Sequence, residues 1–225
     1  MKRTKLKDRI LPSYTKGEEI MNMVTHIIGG VIGIVALVLC VIFAANSKNG
    51  YAIGSSIVFG VSMILLYTIS SIYHGLSPRK ATAKKVMQVL DHSTIFLLIA
   101  GSYTPVLLIK IREHSPTLAW SLFGVVWFIA IIGIILNSID LKKYRVFSNI
   151  FYLTLGWCIL ITGTDLITFI GIPAVILLLS GGISYTVGVI FYGLGKKKKY
   201  FHSIFHIFVT IGSLLHFLCI LLFII

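Results

Sequence analysis

Residues 21–45 read MNMVTHIIGGVIGIVALVLCVIFAA, a run with no Asp, Glu, Lys or Arg and a single histidine, His26. About 20 apolar residues of helix cross a bilayer core, so this stretch is long enough to span one. It is too long for the core of a signal peptide, and six more such runs follow, so it is expected to be a retained span. The others are Tyr51–Tyr73, Val86–Ile109, Thr117–Ile139, Val146–Thr164, Leu166–Leu194 and Tyr200–Ile225. Leu166–Leu194 is overlong, and Gly171 and Pro173 mark its true start. The pattern predicts an all-α membrane protein, a seven-transmembrane helix bundle. Residues 1–20 form a basic tail and residues 21–225 the membrane domain, with links too short for a soluble domain.

Composition agrees. Of 225 residues, 57% are hydrophobic and only 12% charged, and the mean hydropathy is +0.97. Soluble domains are about a quarter charged, so a soluble enzyme, a disordered chain and a nucleic-acid binder are excluded. The net charge of +13 sits in short segments between apolar runs, where it sets topology and meets anionic lipid headgroups. Cys40, Cys158 and Cys219 each stand alone in an apolar run, as small packing residues.

Orientation follows from the basic residues. The tail holds six (Lys2, Arg3, Lys5, Lys7, Arg9, Lys16), the second link four (Arg79, Lys80, Lys84, Lys85), the fourth three (Lys142, Lys143, Arg145) and the sixth four (196–199). The alternate links hold only Lys48, Lys110 and Arg112. Seventeen against three predicts a cytoplasmic N-terminus and an extracellular C-terminus in a cell membrane, of bacterial plasma-membrane type.

Ionisable groups inside spans are costly and mark function. Glu19, Asn22 and His26 lie on one face at the start of helix 1. His74 ends helix 2 with Ser70 one turn deeper, Asp91 and His92 open helix 3, and His202 and His206 open helix 7. All fall in the same leaflet. His202 and His206 are i, i+4, about 6 Å apart along the axis, and His74 adds a third nitrogen from another helix. Three histidines suit Zn2+ with a fourth position left to water, and Asp91 is the nearest acid to hold that water. His216, about 15 Å further along helix 7, is too distant to ligate and is expected in an interhelical hydrogen bond. His92 points about 100° from Asp91 and is expected to pack. His114 and Asp165 lie at the outer rim and are expected to carry no function. Gly181, Gly182 and Gly188 are expected to allow close helix packing.

The segments Glu19-Ile-Met-Asn22-Met-Val-Thr25-His26, Ser70-Ser-Ile-Tyr-His74, LDHSTIFLLIAGSYTP (residues 90–105), His202-Ser-Ile-Phe-His206 and His216-Phe217 together resemble the bacterial hemolysin III family. Its relatives are the progestin and adipoQ receptors and, more distantly, the alkaline ceramidases. The resemblance implies the same seven helices with the N-terminus inside. It also implies zinc held by His74, His202 and His206, Asp91 touching it through water, and Ser70 nearby. The ceramidase relatives hydrolyse a lipid amide, the adipoQ receptors are ceramidase-like, and the bacterial branch takes its name from a cytolytic phenotype.

Three functions are therefore expected in descending order. The first is a zinc-dependent hydrolase of lipid amide or ester bonds, with Asp91 and Ser70 catalytic, Glu19, Asn22 and His26 supporting the metal ligands, and the lipid entering laterally. The second is a non-enzymatic regulator or sensor of membrane lipid state with structural zinc. A pore is third, because a conducting path needs polar lining through the full thickness and the polar groups here cluster in one leaflet.

Overall fold

The computed structural model describes residues 3–195 and 198–225. Lys2, Lys196 and Lys197 of the charge pattern lie outside the described residues. The chain is all-helical among these residues, with six long apolar runs able to cross a membrane. The fourth, Pro116–Thr162, is 47 residues long. Its helical part, Pro116–Trp157, would reach about 63 Å if straight, twice the ~30 Å hydrocarbon core. It breaks at Asp140, where the backbone is extended (φ −159°, ψ 93°), and so contributes two helices.

The seven are α1 (Lys16–Asn46), α2 (Gly50–Gly75), α3 (Ala81–Pro105), α4 (residues 116–139), α5 (residues 141–157), α6 (Ile172–Leu194) and α7 (Phe201–Cys219). The expected true start of the sixth span holds: Gly171 takes φ 80°, and a short helix Asp165–Ile170 precedes it. Pro105 ends α3 proper. A proline has no N–H to donate to the helix ladder, and the chain continues as π-helical turns through Val106–Ile111.

Two boundaries differ from the sequence reading. The first span begins at Lys16, within the expected tail, because Thr15 and Glu18 form a capping box that satisfies the first free N–H groups. The third begins at Ala81 rather than Val86, so Lys84 and Lys85 belong to α3 and not to a link.

Packing runs α1 on α2, α2 on α3, α3 on the α4–α5 run, α6 on α7, and α1 on α7. Helix α3 is the central one. In its span 78% of the most apolar window is buried, against 28% for α1 and 22% for α6, where Ile34 and Ile176 are exposed on the outer surface of the bundle. The N-terminal segment is tied across one end of the bundle. Arg3 Nε donates to the Ile139 carbonyl (3.0 Å), Thr4 N donates to Asp140 Oδ2 (2.6 Å), and Lys85 Nζ donates to the Lys7 carbonyl (2.6 Å). The polar residues of α1, α2, α3 and α7 meet beneath it.

Candidate metal centre

His74, His202 and His206 are all buried, and each offers a ring nitrogen within 4.8 Å of the other two. Helix spacing supplies the pair from α7, whose Nε2 atoms face each other at 3.0 Å. The last turn of α2 supplies His74, whose Nε2 is buried without a hydrogen-bond partner. In two of the three, the opposite ring nitrogen is held elsewhere. His74 Nδ1 donates to Glu19 Oε2 (2.6 Å), and His206 Nδ1 donates to the Asn22 carbonyl (3.3 Å). Those bonds leave bare Nε2 lone pairs turned inward, the form in which imidazole ligates a metal. The buried His74 Nε2 has no partner in the protein, and three ring nitrogens grouped this closely are the donor set of a metal ion, so the residues fit one.

Supporting contacts extend from the ligands. Glu19 Oε1 accepts from Lys84 Nζ (2.7 Å), and Lys84 also donates to the Leu76 carbonyl (2.9 Å). The sequence places Lys84 among the link charges that set topology, but it is 3% exposed, because its carboxylate partner lies on α1. Asn22 accepts from Ser203 Oγ (2.6 Å) and approaches His74 Nδ1 at 3.5 Å. His26 has neither ring nitrogen hydrogen-bonded, and its ring centroid is 3.8 Å from that of His206.

Asp91 and Ser70 stand outside the three-histidine group but line the same cavity, together with His26, His202 and His206. This cavity, of about 130 Å³, runs between apolar side chains as far as His216. Ser70 Oγ is buried, with the Asp91 carboxylate as its polar neighbour. Asp91 Oδ2 lies 3.5 Å from His92 Nδ1. His92 therefore does more than pack. Its Nδ1 donates to the Gln88 carbonyl (2.9 Å), its Nε2 meets the Tyr192 hydroxyl (3.3 Å), and it lines the cavity. His216 makes the expected interhelical bond, Nε2 donating to the Leu178 carbonyl (3.1 Å). A side chain at Gly181 would collide with its ring.

Tyr14 is the residue that sequence reasoning missed. It stacks on His202 (centroids 5.0 Å, 20°) and lies 5.9 Å from the His74 ring, closing the polar end of the site. Burial, and then the nearby Tyr192 and Asp91, push its phenol well above the ordinary value, so it stays protonated. A single tyrosine two residues before a helix carries no local signal of this. Asp140 was missed as well. Its Oδ1 accepts from the Lys142 and Lys143 N–H groups, capping α5.

These observations define a multi-pass, all-helical membrane protein whose helix ends converge on a buried three-histidine centre able to hold a metal ion. The chain matches the haemolysin-III related family over residues 14–217 and belongs to it. It is similar to the Hemolysin-3 homolog of Bacillus subtilis (strain 168), 40% identical over 208 residues that cover 92% of this chain and 95% of that one. Hemolysin-3 of Bacillus cereus is 40% identical over 207 residues, 92% of each chain. Monocyte to macrophage differentiation factor of Homo sapiens is 29% identical over 163 residues, 71% of this chain and 66% of its own.

Proposed function

We propose that the protein is a zinc-dependent hydrolase of lipid amide or ester bonds, with its site in the cytoplasmic leaflet of the cell membrane. One observation carries the reading. Three buried imidazole nitrogens lie within 4.8 Å of one another, and beside them an apolar cavity is lined by an acid and its hydroxyl neighbour, Asp91 and Ser70. Among the described residues no fourth histidine, cysteine or carboxylate joins the group. A closed structural zinc site has four protein ligands, whereas a catalytic one keeps a position open.

His74, His202 and His206 would hold the zinc, which when bound would supply Lewis acidity toward a water and a carbonyl oxygen. Asp91 takes the proton from the attacking water, and its neighbour His92 orients the carboxylate. The Ser70 hydroxyl donates to the carbonyl oxygen as charge develops there. The cavity excludes bulk water and receives the acyl chain, extending toward His216 about 15 Å along α7. The lipid enters sideways between helices.

A second reading, a non-enzymatic regulator of lipid state with structural metal, draws on the chain of contacts His74–Glu19–Lys84, which with His202 and His206 ties α1, α2, α3 and α7 together. Two measurements separate the readings. Metal content by mass spectrometry is expected to be about one zinc per chain, lost in His206→Ala. Turnover of a lipid amide and ester panel is expected in the wild type and abolished, with zinc retained, in Asp91→Ala. Zinc without cleavage of any lipid favours the regulator, with chelation lowering thermal stability. Zinc-free protein purified without chelator defeats both.

A further inference from the structure

A second cavity, of about 600 Å³, lies between the N-terminal segment and the helix ends. His92 and His202 line both cavities, so the two adjoin. Five cations border the second one: Arg9, Lys142, Arg145, Lys198 and Lys199. The carboxylates among its lining residues are Asp8 and Glu18. Glu18 is already engaged by Thr15 and by the Tyr200 N–H (2.9 Å).

Arg9 is the decisive residue. It is 8% exposed, and its Nε and Nη1 are buried with no hydrogen-bond partner. Among the described residues no carboxylate lies within ion-pair distance of it. Asp140 acts on it only at longer range and is itself taken up by the Thr4, Lys142 and Lys143 N–H groups. Burial holds the guanidinium below its ordinary pKa, with Asp140 opposing and Arg3 reinforcing the shift. Two buried guanidinium nitrogens without a partner are costly, and native structures rarely leave them so.

We propose that this cavity binds a phosphate group, with Arg9 as its bidentate anchor and Lys142, Arg145, Lys198 and Lys199 around it. The planar Arg fork matches two phosphate oxygens. The excess of cations over free carboxylates suits a doubly charged phosphate better than a lone carboxylate. The phosphate comes either on a lipid headgroup at the bundle end or free in solution.

The test is calorimetric titration of the full chain in an uncharged detergent with inorganic phosphate, dihexanoyl phosphatidic acid and dihexanoylglycerol. Saturable binding of a phosphate-bearing probe is expected. Arg9→Gln and Arg145→Gln are each expected to weaken it tenfold or more, and Lys48→Asn, at the opposite end, to leave it unchanged. Phosphatidic acid bound tenfold tighter than inorganic phosphate identifies a lipid headgroup; equal affinities identify free phosphate. Arg145→Gln carries the test if Arg9→Gln fails to fold. The proposal is overturned by no saturable phosphate binding, by binding unchanged in the folded variants, or by dihexanoylglycerol binding as tightly as phosphatidic acid.

Discussion

At the residue scale, Glu19 joins two otherwise separate requirements. One carboxylate oxygen orients His74 and the other neutralises Lys84, which is buried at the start of α3. Glu19→Gln keeps the shape and removes the charge. It leaves a buried ammonium without its counter-ion and costs about 1–3 kcal/mol of stability. It also frees the His74 ring, and losing such an orienting partner lowers metal affinity about 10–100-fold. Denaturation in mixed micelles and chelator competition read the two effects separately. Stability and affinity both unchanged would show that the carboxylate neither pairs with Lys84 nor orients His74. Neither pair can be read from the chain, because Glu19 lies 55 residues from His74 and 65 from Lys84. What is visible locally is only that Lys84 falls seven residues before Asp91, on the same face of α3.

At the element scale, the site depends on how closely α1 approaches α2, since α1 carries Glu19 and Asn22 and α2 carries His74. Gly60 sets that approach. A Cβ there would lie 2.7 Å from the Leu37 Cα, a backbone atom that cannot rotate away. Gly60→Ala is expected to destabilise by about 1–3 kcal/mol, measured as a fall in the melting temperature. Gly54→Ala, on the same helix with nothing within 4 Å of its added methyl, is expected to be neutral or to stabilise by up to about 1 kcal/mol, because alanine favours helix. Equal losses in both would mean that close packing at Gly60 is not what matters. The number and order of helices were legible from apolar run lengths. Their ends were not, because Thr15–Glu18 capping and the burial of Lys84 outweigh the hydropathy that sets an apparent boundary.

At the scale of the whole molecule, the described basic residues of the tail and of the segments after α2, α4 and α6 flank the histidine end of the bundle, while Lys48, Lys110 and Arg112 lie at the other. Seventeen cations against three predict the histidine end in the cytoplasm. Alkaline phosphatase fused after Ile225 is therefore expected to be active, and the same enzyme inserted at the Lys142–Lys143 link inactive. The reverse pattern would invert the protein and move the site to the outer leaflet. Sequence alone determined that the chain is an all-helical, multi-pass membrane protein and which histidines sit at the ends of its apolar runs, because hydropathy and helical periodicity are local properties of the chain. Tertiary structure decided the rest: that three imidazole nitrogens come within 4.8 Å of one another, that Lys84 is an interior partner of Glu19, that Tyr14 covers His202, and that Arg9 is buried in a basic cavity. Each of these joins residues from segments far apart in the chain, and such contacts form only when the helices pack.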